Sequence, residues 1–330
     1  MKIIVSIMSG ANNTERNVLR SFYYGMEKYY ISKYTARHTK DLKKHHNINI
    51  SINYDTEIPE CDIAVQFGTA KNRPADHHVT KKSIEKNAKQ IVYIETPLLG
   101  RVINKKNKYS YYRVGVNGFL YNDGIFYNDE NIDYNRINVL RNDLHIPNFT
   151  NWRDHKSGEI LILLQLPGDS SLRGQKHSEW LMDTIDEIRS ITDRPINVRF
   201  HPAMSDKGRA EFFSEIGPIL FKNYTSITWN DGMSRSLTDD LSAADICVSY
   251  TSGSCIDAVL AGVPVISVDE GNLAYPISSH RISDILNPQL ASIDEVNNWL
   301  SALANSQWSD EEMLTGKVWS HIIDIIENNG

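Results

Sequence analysis

The sequence predicts an α/β protein built from two Rossmann-like parallel-sheet domains. Three observations carry that reading. The chain has 330 residues, long for one hydrophobic core, which stops growing near ~250–300 residues, and comfortable for two. Short apolar runs that stop at Gly, Pro or a charged residue alternate with stretches of helical period, the pattern of a parallel sheet covered by helices. A stretch rich in Asn, Tyr and Asp, from about 117 to 151, breaks this alternation at mid-chain. Its Asn122-Asp123-Gly124 and Pro147-Asn148 are turn chemistry, so a linker is expected at about 145–155, with domains 1–150 and 151–330.

In the first half, Ile3 to Ile7 reads as a buried strand, and Asn13 or Thr14 can cap a helix running to about Tyr30. Ile48 to Ile52 alternates, Asp62 to Phe67 is apolar and stops at Gly68, a Lys-rich helix fits 76–89, and Ile91 to Ile94 stops at Glu95. In the second half, strands are expected at 160–164, 196–200, near 227, at 246–250 and at 263–268. Helices are expected at 178–190, 205–216, 236–243 and 255–260.

Composition narrows the class. With 41% hydrophobic and 23% charged residues and no run of ~18 apolar residues, the chain reads as soluble rather than membrane-spanning. The opening MKIIVSIMSG is too short an apolar run for a secretory signal, so residence in the cytoplasm is expected. Cys61, Cys247 and Cys255 form no C-x-x-C pair and sit in apolar segments, which argues against a disulfide framework and a zinc site.

Three segments of the second half carry chemistry. In 241-LSAADICVSYTSGSCIDAVLAGVPVISVDEG-271, a buried strand ends at Tyr250. The small hydroxyl loop Thr251-Ser252-Gly253-Ser254 follows and opens into a helix, a place where backbone N–H groups and the helix dipole favour an anion. Ser252 or Ser254 could equally serve as an ordinary helix cap. In 194-RPINVRFHP-202, a strand ends on Arg199 and His201 at the same carboxyl edge, offering a donor fork and an imidazole to phosphate. In 165-QLPGDSSLRG-174, Gln165 ends a strand, Gly168 permits close backbone approach, and Asp169, Ser170 and Ser171 resemble a phosphate-contacting nest or a plain structural turn. Neither G-x-G-x-x-G nor a P-loop motif is present.

The R-x-H-P at 199–202, followed by strand, S-Y-T-S-G-S, helix and G-V-P-V, resembles the HP-motif GT-B glycosyltransferases, a group that includes capsule and sialic-acid transferases and phage-encoded enzymes. The resemblance covers roughly residues 158–271. It implies the GT-B fold, two domains facing a cleft, and a nucleotide-sugar donor, UDP-sugar favoured. It also implies that His201, Thr251, Ser252 and Ser254 hold the donor phosphates, with Asp257 toward the ribose or sugar. No Asp-x-Asp occurs, so no catalytic metal and no cofactor beyond the donor is expected. An inverting transfer needs a base to take the acceptor proton. Glu95, just past a strand and before Pro97, is the first choice, and Asp76 with His77 the second, although Asp76 also fits a helix cap. Ser9 and Gly10, after the first strand, could close over the donor.

The acceptor is read from charge. Residues 1–150 hold 22 Lys+Arg against 15 Asp+Glu, and residues 151–330 hold 13 against 26. An N-terminal half meeting something anionic, or simply solvated helix faces, would explain the split. The stretch Arg101, Lys105, Lys106, Lys108, Tyr111, Tyr112 and Arg113, with Lys40, Lys43, Lys44, Lys81 and Lys82, combines cations with rings that could stack a displaced base. With a composition that resembles T-even-like phage proteins, this favours a DNA glycosyltransferase acting on hydroxymethylated pyrimidine in duplex DNA. A surface-polysaccharide transferase meeting anionic lipid and a non-catalytic sugar-nucleotide-binding protein are the alternatives.

Overall fold

The computed structural model describes residues 1–35, 48–68, 75–100, 111–153 and 158–328. The chain divides into two units: Met1–Phe119, Asp123–Ile146 and Leu300–Gly330 form the first, and Leu120–Asn122 with Pro147–Trp299 form the second. A single boundary near residue 150 therefore gives way to a chain that returns to its first unit at the end.

The first unit begins with strand β1 (Lys2–Ser6), helix α1 (Asn13–Thr35), β2 (Asn49–Asn53), β3 (Cys61–Phe67), α2 (Ala75–Asn87), β4 (Ala88–Glu95), β5 (Tyr111–Val116) and α3 (Arg136–Leu144). The second unit follows with β6 (Glu159–Leu163), α4 (His177–Ile191), β7 (Ile196–Arg199), α5 (Asp206–Asn223), β8 (Ile227–Asn230), α6 (Leu237–Ala243), β9 (Ala244–Ser249), α7 (Ser254–Leu260) and β10 (Val265–Ser267). Helix α8 (Ile293–Ala304) leads back to the first unit, which ends with β11 (Gln307–Ser309), α9 (Asp310–Thr315) and α10 (Lys317–Asn328).

The first sheet runs β11-β5-β4-β3-β1-β2. Its strands β2, β1, β3 and β4 are parallel, while β5 lies antiparallel to β4 and β11 antiparallel to β5. Ile3, Val5, Ile63, Val65, Val92 and Ile94 alternate onto one face and pack with Phe22 and Met26 of α1 and with Trp319 and Ile322 of α10. On the other face Ile4 and Ala64 pack with Ile84 of α2. Helix α1 is capped by Asn12, whose Oδ1 accepts from the Glu15 N–H at 2.9 Å while the Glu15 carboxylate accepts from the Asn12 N–H at 3.1 Å. This reciprocal cap sits a residue earlier than the sequence suggested. Gly25 is required by packing: a Cβ there would lie 1.8 Å from the Met313 carbonyl oxygen, so α9 crosses α1 only over a glycine.

The C-terminal return is held by polar as well as apolar contacts. Gln307 Oε1 accepts from the N–H groups of Leu98 and Leu99, each at 2.9 Å, and its Nε2 donates to the Leu99 carbonyl at 2.8 Å. Arg136 pairs with Glu312 at 2.8 Å and lies 3.8 Å over the Trp308 ring. Burial first raises the Glu312 carboxyl, yet the Arg136 guanidinium outweighs it and holds the group down at about 2.

The second sheet is parallel throughout, in the order β10-β9-β6-β7-β8. Its core gathers Ile160, Ile162, Val198, Ile246, Val248 and Ile266 with Trp180, Leu181, Phe212 and Leu220 from the covering helices. Because the strands are parallel, the loops after β6, β7, β9 and β10 all emerge at one carboxyl edge, where ligands of open α/β sheets bind. Among the described residues no helix is long and apolar enough to cross a membrane.

Candidate functional site

At the carboxyl edge of the second sheet, two of the expected loops are fastened together by one side chain. Gln165, two residues past the end of β6, is buried. Its Nε2 donates to Thr251 Oγ1 at 2.9 Å and to Ser171 Oγ at 2.5 Å, and its Oε1 accepts from the Thr251 N–H at 3.0 Å. The Thr251 hydroxyl in turn donates to the Ser171 carbonyl at 2.9 Å. A buried carboxamide satisfied on both ends fixes what it touches. The turn is tightened by Asp169, whose Oδ1 accepts from the Ser171 N–H at 2.8 Å and the Ser171 hydroxyl at 2.7 Å. Gly168 enters it at φ 75°, a conformation that suits glycine.

The β9–α7 loop satisfies part of its own backbone. The Ser252 N–H donates to Ser249 Oγ at 3.1 Å, and the Ser254 N–H donates to Ser252 Oγ at 3.3 Å. The N-cap of α7 is Gly253, with no side-chain cap bond. Gly253 has an ordinary helical φ of -62°, and Asp257 lies half-buried on α7. Tyr250 precedes the loop, and burial together with a hydrogen bond to Asp269 pushes its hydroxyl up to about 12.

The two basic residues at the end of β7 have different fates. His201 is half-buried, and its Nδ1 accepts from the Ala203 N–H at 3.1 Å. The neutral ring then carries its proton on Nε2, a donor suited to a phosphate oxygen. Arg199, expected to meet phosphate, is instead buried and committed. Its Nη1 reaches Asp240 and the Arg235 carbonyl at 2.9 Å, and Nη2 donates to the Gly232 carbonyl at 3.0 Å. Only Phe200 separates Arg199 from His201, so alternation alone would put both side chains on one face; they part because Arg199 is the last residue of β7 and His201 lies beyond its end.

His177, the first residue of α4, was missed by motif reading. It is buried, its Nε2 accepts from the Gln165 N–H at 3.5 Å, and burial pushes its imidazole down to about 4. A histidine kept neutral by folding binds its proton more readily when unfolded. Its contribution to stability is therefore complete above about 6.5 and declines as pH falls toward 4. Urea midpoints are expected to drop across that window, and His177→Gln to flatten the drop. A midpoint that is pH-independent in the parent from 7 to 4 contradicts this.

In the first unit, the candidate base residues share the carboxyl edge of the parallel strands. Ser9 and Gly10 follow β1, with Gly10 at φ 77°. The Ser9 hydroxyl donates to Asp76 Oδ2 at 3.4 Å, and Asp76 is exposed in the first turn of α2. His77 beside it is buried. Glu95 is the half-buried last residue of β4, directly across from Arg113 of β5.

The DNA-facing residues fare otherwise. Arg101, Lys105, Lys106 and Lys108, like Lys40, Lys43 and Lys44, lie outside the described residues. Lys81 pairs with Glu85 at 3.7 Å, and Lys82 is exposed. Tyr111, Tyr112 and Arg113 are not a stacking surface. They are the first three residues of β5, and all three are buried. Tyr112 packs edge-on against Phe67 in the core, the Tyr111 hydroxyl donates to Asp143, and Arg113 Nη1 donates to the Phe119 carbonyl at 2.7 Å. Aromatic residues favour strands, and that preference accounts for the cluster.

No family profile matches the chain, and no curated protein matches it in sequence. Solved structures do resemble it. KpsC of Thermosulfurimonas dismutans, in its beta Kdo 2,7 transferase, superposes with a TM-score of 0.50 at 13% identity, covering 97% of this chain and 99% of that one. The beta Kdo 2,4 transferase of the same KpsC gives 0.46 at 13%, covering 90% and 97%. A glycosyltransferase from Rickettsia africae gives 0.37 at 11%, covering 99% of each chain. At such identities the likeness speaks for the fold alone: two parallel-rich α/β sheets in the GT-B arrangement of strands and helices.

Proposed function

We propose that this chain is a glycosyltransferase that takes a nucleotide-sugar donor at the carboxyl edge of its second sheet. One observation carries the reading: Gln165 ties the Ser171 turn after β6 to Thr251 after β9, which fixes these two loops at the carboxyl edge of the parallel sheet, the edge at which β7 also ends. In this account His201 and the Thr251, Ser252 and Ser254 loop meet the donor phosphates. Glu95 of the first unit takes the acceptor proton, and helix dipole and cationic side chains stand in for a metal ion. The GT-B fold shared with a Kdo transferase supports a carbohydrate donor.

A glycan acceptor is proposed in preference to DNA. The burial of Tyr111, Tyr112 and Arg113 removes the rings that would have supported a displaced base, and Lys81 is engaged with Glu85. Calorimetry with UDP and CMP in parallel tests the donor half. Binding is expected for one of them, weakening by about 1.5–3 kcal/mol on His201→Ala, the range for a hydrogen bond to a charged group. Equal affinities in parent and variant would remove His201 from the site.

A further inference from the structure

We infer that β2, the open edge of the first sheet, pairs with β2 of a second copy of this chain, antiparallel about a two-fold axis at Ser51. The protein is then a symmetric dimer in which two first sheets run on as one.

A strand at a sheet edge leaves a row of backbone groups unpaired, and proteins guard such edges with Lys, Pro, a bulge or a covering element. β2 is last in the order β11-β5-β4-β3-β1-β2, and among the described residues no strand or isolated bridge pairs with its outer side. Its residues, Asn49-Ile50-Ser51-Ile52-Asn53, include no charge and no proline. They follow β1 in unbroken register from Lys2↔Asn49 to Ser6↔Asn53, so no bulge twists the edge away.

The hydrogen bonds to β1 fix which groups point outward. The Asn49 N–H donates to the Met1 carbonyl at 3.0 Å, and the Asn53 carbonyl accepts from the Ile7 N–H at 2.9 Å. Asn49, Ser51 and Asn53 therefore turn their backbone groups toward β1, and by alternation Ile50 and Ile52 present N–H and C=O to the open side. The strand is also a palindrome about Ser51. Turned antiparallel about that residue, Ile50 of each copy meets Ile52 of the other. Each of these pairs exchanges both N–H···O bonds, the hydrogen-bonded pair of an antiparallel ladder, and Ser51 faces its own copy between them. A shift by one residue would oppose outward groups to inward ones and set Ile against Ser.

The faces match as well. A two-fold axis normal to the sheet keeps each face on its own side. Ile50 and Ile52, packed against the core under α1, meet their counterparts, and Asn49 meets Asn53. Tyr54, 53% exposed just past the strand, is brought toward Ile48 of the second copy. Such a strand pair is small against the ~1,200–2,000 Å² that a stable interface buries, and α1 adds to it. Helix α10 lies on β5, whereas α1 lies on β1, β2 and β3. Gly25 and Tyr29 face α9, where Gly25 approaches the Met313 carbonyl and Tyr29 approaches Gly316. The flank of α1 turned the other way, toward the open edge, carries Tyr23, Glu27 and Ile31 at four-residue steps. Tyr23 packs on the same core as Ile50 and Ile52, and Ile31 is 62% exposed.

Sedimentation equilibrium of the full chain over a concentration series is expected to show a monomer–dimer equilibrium. Ser51→Lys sets two ammonium groups opposite one another at the axis and raises the dissociation constant at least ~10-fold. Ser51→Asp does the same alone, and an equimolar mixture of the two variants recovers the dimer, because position 51 faces only itself. Circular dichroism and urea midpoints establish that the variants are folded. Crosslinking gives a second readout that adds no charge to the edge. With copper phenanthroline as oxidant, Ser51→Cys forms a dimer linked by a disulfide, since residues directly opposite lie within its span. Asn49→Cys does not, because its two thiols sit roughly 13 Å apart along the strands. Cys61, Cys247 and Cys255 are buried and leave the background low. A parent that stays monomeric throughout, a dimer that Ser51→Lys leaves intact, a mixture that fails to pair again, or equal crosslinking at positions 49 and 51 overturns the inference. Open-ended assemblies in place of a dimer overturn it too.

Discussion

Glu95→Gln is expected to lower turnover by about 10²–10⁴-fold, the usual contribution of general acid–base catalysis, while nucleotide affinity stays within twofold. The substitution keeps size and hydrogen-bonding shape and removes basicity. Its motivation is placement: Glu95 ends β4, Pro97 stops the strand, and the side chain is half-buried at the carboxyl edge of the first sheet. A base acting in the rate-limiting step also leaves an acid limb in the pH–rate profile, which should vanish in the variant. Asp76→Asn provides the comparison, because Asp76 is exposed and hydrogen-bonded to Ser9 at the same edge. Full activity in Glu95→Gln with loss in Asp76→Asn would transfer the role to Asp76.

The second large effect concerns stability. Asp240 is fully buried and accepts from Arg199 Nη1, from Asn230 Nδ2 at 2.8 and 2.9 Å, and from Arg235 Nε at 3.2 Å. Asp240→Ala leaves the Arg199 guanidinium buried without its counter-charge, which costs about 3–5 kcal/mol when one partner of a buried pair is removed. Arg235 is 42% exposed and can turn to solvent, so the penalty falls on Arg199. Urea unfolding followed by circular dichroism measures it. A change below about 1 kcal/mol would mean that the pair is not buried as described. The same geometry implies that Arg199→Ala acts through folding of the β8–α6 region and says little about the donor.

Much of the fold was legible because periodicity and punctuation agreed. Phe67 stops before Gly68, the run from Ile91 stops at Glu95, and the run expected over 246–250 stops one residue early, at Ser249. Each of those stops is a strand end in the structure. The errors fell where tertiary pairing decides. Tyr111-Tyr112-Arg113 reads as part of a basic aromatic surface, and its pairing with β4 and β11 makes it a buried strand instead. The return of residues 300–330 depends on Gln307 finding the backbone of Leu98 and Leu99, some 200 residues earlier, a contact that no local pattern announces. At the candidate site, the loops were found because hydroxyl-rich turns after strands are visible in sequence. The Gln165 bridge and the neutral His177 were not, because each depends on which loops the sheet order brings side by side.

The central claim is that this chain transfers sugar from a nucleotide donor, and product mass spectrometry tests it most directly. The full-length protein is incubated in excess EDTA with a panel of UDP- and CMP-sugars, together with oligosaccharide acceptors and, separately, hydroxymethylated duplex DNA. The account predicts the mass of one transferred sugar on an oligosaccharide, release of the matching nucleotide, and no change in the DNA. Transfer to the duplex would restore the DNA reading and contradict the acceptor assignment. Absence of transfer to any acceptor, with no release of nucleotide in EDTA or in added Mg²⁺, would contradict the claim itself.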